Sequence, residues 1–159
     1  MDPDKQLREQ LVKFLDWPEA HADLAAAVDD FPAELRGRVP EGMPYSGWQL
    51  LEHIRLALED IVEFSRDTSH KSPPWPEGYW PKKAAPPSDK SWEQSVKAIR
   101  EDLESLRKMV GDPKHDLFAP LPGGSGQTLL REVLLAADHN AYHLGQLVLV
   151  RRALGGWKA

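Results

Sequence analysis

The sequence predicts an all-α four-helix bundle. Three observations carry this reading. Apolar residues recur at helical spacing in four long segments. Ser, Thr or Asp precedes each segment or its restart, and Gly or Pro follows it. No stretch alternates with period two for long enough to suggest a sheet. Four helices of this length pack as a bundle, and 159 residues suit one domain, residues 1–159, around one core.

The first helix is expected from about Lys5 to Asp30, broken near Trp17-Pro18. Asp16 caps the restart in this reading, with Pro18 and Glu19 in its first turn. Pro32 and GRVPEGMPYS end it. The second helix starts at Ser46, with Gln49 three residues on in a capping-box pattern. It continues through Ile54, Leu58, Ile61 and Phe64 to about Arg66. The third starts at Ser91 with Gln94 and runs to about Val110, where Gly111-Asp112-Pro113 stops it. The fourth starts near Thr128, after GGSG, and runs to about Leu154, with Gly155-Gly156 closing it. Between the second and third lies TSHKSPPWPEGYWPKKAAPPSDK. Its six prolines (73, 74, 76, 81, 86 and 87) forbid helix and central strand. Trp75, Tyr79 and Trp80 point to a crossover that packs down onto the core, because a disordered linker usually lacks aromatics, with a lid over a pocket as the alternative.

Composition excludes several function classes. Charged residues make up 28% and hydrophobic residues 41%, as in ordinary globular proteins. The net charge is −5 with both signs interspersed, and no basic stripe speaks for nucleic acid. No apolar stretch is long and uncharged enough to span a bilayer, and the polar MDPDKQLREQ start is no signal peptide. A cytoplasmic protein is expected. There is no cysteine, so a metal must be held by His, Asp or Glu and no cysteine nucleophile exists.

His139 and His143 stand four residues apart in ADHNAYHLGQ. Positions i and i+4 stack on one helix face, so both imidazoles can reach one ion. On the helical wheel Gln146 and Glu132 fall within about 20° of His139, giving a polar stripe at the border of the buried arc. His53, in LEHIRLALEDIVEF, occupies the matching border of the second helix. Three imidazoles with an open position would make a catalytic rather than a closed structural site. Asn140, which cannot take a proton, stands where an H-E-x-x-H peptidase carries its general base, so a zincin is not expected. Glu132 lies about 10 Å along the axis from His139, too far to share the ion. His21, His70 and His115 are expected to be solvated. Tyr142, Gln146 and Glu132 are the candidates to converge on an open coordination position, and no catalytic residue can be singled out.

WQLLEHIRLALEDIVEFSR, LLREVLLAADHNAYHLGQLVLVRRALG and the PPWPEGYWP loop together resemble the DinB-like (YfiT-like) superfamily, from about Trp48 onward. The resemblance implies an up-down-down-up bundle with a long crossover. It also implies a divalent metal, often nickel or zinc, on His53, His139 and His143. Characterised relatives suggest a thiol-dependent S-transferase using a low-molecular-weight thiol such as bacillithiol or mycothiol as cosubstrate. Hydrolysis of a small substrate, or a non-catalytic metal-binding role in stress response, are the alternatives. A homodimer is expected from the width of the apolar arc on the fourth helix (Leu129, Leu130, Val133, Leu134, Ala137, Ala141, Leu144, Val148, Leu149).

Overall fold

The computed structural model describes residues 2–157. They form five α-helices: α1 Pro3–Phe14, α2 Leu24–Val28, α3 Gly47–Arg66, α4 Asp89–Gly111 and α5 Leu129–Ala153. Short 3-10 turns lie at Ala33–Leu35 and Glu77–Tyr79. Among the described residues there is no strand, only an isolated antiparallel bridge between Pro120 and Thr128. Helix α3 packs against both α4 and α5, α1 packs mainly on α4, and α2 packs on α5.

The helix ends follow from capping chemistry. Ser46 accepts from the Gln49 N–H while the Gln49 side chain accepts from the Ser46 N–H, a closed capping box on α3. Thr128 caps α5 through the Arg131 N–H. At the far end Gly155 takes φ +76°, and the N–H groups of Gly155 and Gly156 donate to the carbonyls of Arg152 and Arg151. This is a Schellman closure, which glycine adopts without steric cost.

Two boundaries differ from expectation. The first helical segment is broken across the whole stretch between Phe14 and Leu24, not by a kink at Pro18. Asp23 is the cap of the restart, through the Ala26 N–H, while Asp16 reaches across to the Leu24 N–H. The third long helix begins at Asp89, because Ser88 accepts from the Ser91 N–H; Ser91 is its third residue, not its cap.

Two arginines buried among apolar side chains tie the helix ends together. Arg8 of α1 donates to the carbonyls of Val110, Asp112 and His115. Arg151 of α5 donates to those of Ala26, Ala27, Asp29, Asp30 and Gly156. The carbonyls at a helix C-terminus lack intrahelical partners, and a guanidinium satisfies several at once.

The connector at 67–88 packs down, as its aromatics suggested. Tyr79 is buried and Trp80 lies against the core, whereas Trp75 stays exposed. The Ser46 hydroxyl donates to the Ala84 carbonyl, and the Tyr79 hydroxyl donates to Asp60 at 2.7 Å. Gly37 allows the close approach of this segment: a Cβ there would sit 2.5 Å from that of Ala85.

Candidate metal centre

The fold brings His53 of α3 together with His139 and His143 of α5. His53 is 1% exposed, His143 is 8% exposed and His139 is half-buried. The Nε2 of His53 lies 3.0 Å from that of His139 and 3.1 Å from that of His143. The ligand atoms of all three lie within 4.8 Å of one another, and together they could hold a metal ion. Nitrogens bound at about 2.05 Å to one ion stand roughly 2.9 Å apart at right angles and roughly 3.3 Å apart in a tetrahedron. The two observed separations fall between those limits.

Neighbouring groups set the tautomers. The Nδ1–H of His53 donates to the Tyr79 carbonyl at 2.9 Å. The Nδ1–H of His143 donates to Gln146 Oε1 at 2.7 Å. A neutral imidazole with its proton on Nδ1 carries a lone pair on Nε2. Two lone pairs therefore face each other across 3.1 Å, an arrangement that a shared cation relieves. Burial lowers the pKa of all three rings. At His53 the Tyr79 carbonyl partly opposes it, and at His143 the Gln146 side chain does. His139 is driven down to about 4 by burial first and then by the neighbouring His143 and His53 rings. Its Nδ1 is buried and has no hydrogen-bond partner. At neutral pH the cluster is three uncharged imidazoles, the form that ligates metals.

The connector supplies the wall behind His53. Trp80 stacks on the imidazole with ring centroids 3.9 Å apart and 7° between planes, and Tyr45 stacks on the far face of Trp80 at 4.1 Å. Trp75 and Tyr142, 69% and 65% exposed, stand at the rim. Trp75 is 6.5 Å from the His53 ring and Tyr142 is 4.9 Å from the His143 ring.

Of the remaining candidates, Glu132 is buried and held by Arg131 at 2.7 Å, outside the cluster. Gln146 does not point at an open position: it buttresses His143. His21 is exposed and His115 is about half exposed. His70 departs from the expectation of solvation, since its Nε2 pairs with Asp60 at 2.7 Å. The same carboxylate accepts from the Tyr79 hydroxyl, whose pKa is raised to about 12 by burial and then by Asp60. Asp60 thus anchors the segment whose carbonyl orients His53. Tyr79 acts on the centre through its backbone, which no side-chain pattern reveals. Gln146 was legible as a polar residue one turn beyond His143, but its role was not.

The fold and the cluster define an all-helical protein with a three-histidine centre able to hold a metal ion. The chain belongs to the DinB superfamily: the model of that family matches residues 17–147. No curated protein and no solved structure matches the chain significantly.

Proposed function

We propose that His53, His139 and His143 bind one divalent ion through their Nε2 atoms, nickel or zinc being the first candidates. We further propose that the centre serves a thiol S-transferase, with a low-molecular-weight thiol as cosubstrate. The observation that carries the reading is the convergence of Nε2 atoms whose Nδ1 protons are engaged elsewhere at His53 and His143. The bound ion would supply Lewis acidity, lowering the pKa of a coordinated thiol so that the thiolate forms near neutral pH. The chain's own groups do the rest. The Tyr79 carbonyl and Gln146 hold two rings in register, and Trp80 shields one face of His53 from water. Trp75 and Tyr142 stand exposed beside the cluster. With no cysteine in the sequence, the thiol must come from solution. No carboxylate joins the cluster among the described residues, so a general base for hydrolysis is not at hand. That favours thiol transfer over hydrolysis of a small ester or amide.

The family supports an up-down-down-up order for the four long helices, and the 67–88 connector has the reach such a crossover needs. We read residues 1–159 as one cytoplasmic domain that pairs with a second copy. Its own core buries Leu129, Val133, Ala137, Leu144 and Val148 of the α5 arc, leaving Leu134, with Leu135 beside it, exposed for that contact. No described helix is long and apolar enough to cross a membrane.

Elemental analysis of purified protein tests the centre, with one ion per chain expected and none in His139→Ala. Rates of thiol addition to a panel of electrophiles test the chemistry. Equal rates for metal-loaded and metal-stripped protein would refute thiol transfer.

A further inference from the structure

A small apolar pocket of about 180 Å³ adjoins the histidine centre. Met43, Pro44 and Tyr45 form one wall, Gln146, Leu149 and Val150 of α5 the other, and Leu50 the floor. It touches the centre at two points. Gln146 is the residue that holds His143, and Tyr45 is the outer ring of the Tyr45–Trp80–His53 stack. Along α5 the pocket begins one turn beyond His143, roughly 5–10 Å along the axis.

We propose that this pocket receives a compact apolar group of the substrate, of the size of one six-membered ring, while the reacting end lies at the histidines. The proposal rests on the metal-dependent reading above. Volume sets the size, since an apolar cavity of roughly 150 Å³ holds one benzene. Chemistry sets the class. Met43, Pro44, Leu50, Leu149 and Val150 offer no charge and no side-chain hydrogen bond. Gln146 Oε1 is occupied by His143, which leaves its amide N–H, with the Tyr45 hydroxyl, as the polar groups of the lining. The occupant is therefore apolar in its body with at most one or two polar atoms to meet these groups. Because Gln146 is shared, a ligand seated there presses on the residue that orients His143. Occupancy and metal geometry are linked through one side chain.

The test uses the full chain, metal-free and zinc-loaded, titrated with benzyl alcohol and, as a control, glycerol. Proton–nitrogen NMR reads the Gln146 side-chain amide and the Trp80 indole. Benzyl alcohol should shift both saturably, with half-saturation near about 1 mM, and glycerol should not. Met43→Trp and Leu149→Trp fill the pocket from opposite walls at partly or fully exposed positions. Each should weaken the probe about tenfold or more, with metal content and helicity unchanged. Shifts that never saturate, or wild-type titrations in both filled variants, would overturn the pocket. Saturable binding to a protein that takes up no metal would overturn the metal reading and keep the pocket. Full metal uptake without probe binding would overturn the pocket alone.

Discussion

Replacing Gln146 with leucine should weaken metal binding without unfolding the helix. The side chain touches no ion; it accepts the Nδ1–H of His143 at 2.7 Å. That bond fixes the ring's tautomer and keeps its Nε2 lone pair turned toward His53. Leucine is close in volume and a good helix former, so α5 should persist. The Nδ1–H would then lack its acceptor, and the tautomer with the proton on Nε2, which cannot ligate, would gain population. Loss of a partner of this kind typically costs 10–100-fold in metal affinity, or about 1.4–2.7 kcal/mol. Gln146→Glu keeps an acceptor in place and adds negative charge, which raises the basicity of the ring. It should bind metal at least as tightly as wild type. Competition against a chromophoric chelator at pH 7.5 measures all three proteins. A leucine variant with wild-type affinity would refute the orienting role. So would a glutamate variant as weak as leucine, because the hydrogen bond would then not be the property that matters.

Arg151→Met should destabilise the fold by about 3 kcal/mol, since it strands the carbonyls of Ala26, Ala27, Asp29, Asp30 and Gly156; a urea-midpoint stability within about 0.5 kcal/mol of wild type would contradict that. Asp102→Asn should stabilise the protein at pH 7.5 and have little effect at pH 4. Burial, and then Glu59, raise the Asp102 pKa to about 6, so the folded state binds more protons than the unfolded one and stability falls as pH rises from the ordinary carboxylate range through about 6. After discounting for solvent screening at this half-buried site the gain should be about 1 kcal/mol, and equal differences at both pH values would refute the assignment. Light scattering at micromolar concentration should give twice the chain mass, and Leu134→Glu with Leu135→Glu should halve it; a monomeric wild type would remove the dimer.

The long helices were legible where local signals agree. Ser46 with Gln49, Thr128 and Gly155 each carry a cap that depends on a few neighbouring residues, and all three lie at helix ends in the structure. The start of α4 was misplaced because Ser88 and Ser91 are both good caps three residues apart, and only the backbone selects between them. The 15–23 break was underestimated because apolar spacing continues through it, while Asp16 and Asp23 serve the start of α2 by accepting from the Leu24 and Ala26 N–H groups. At the centre, the i and i+4 histidines were readable from periodicity. The approach of His53 came from family resemblance and a matching wheel position. The Tyr79 carbonyl and the Trp80 stack were not readable, since both depend on how a proline-rich connector folds across α3. His70 went astray for the same reason: its partner Asp60 is ten residues away in sequence and is reached only by that fold.

These particulars bear on what the centre would select as a fourth ligand. Three neutral imidazoles leave a divalent ion with its full charge. The groups that orient the rings, a backbone carbonyl at His53 and a carboxamide at His143, are neutral as well. Two nearby carboxylates are committed elsewhere, Glu132 to Arg131 and Asp60 to Tyr79 and His70, and Asp138, next to His139 in the chain, is exposed and outside the histidine cluster. Burial of the three rings weakens solvent screening, so the uncompensated charge of a bound ion would act strongly on a further ligand. An anion is favoured there over a neutral donor, and a thiol, more acidic than water by several pKa units, becomes an anion with less help. In the proposed reading the arrangement would favour a thiolate by charge, with no residue recognising sulfur. Specificity would have to come from the aromatic rim and the adjoining apolar pocket.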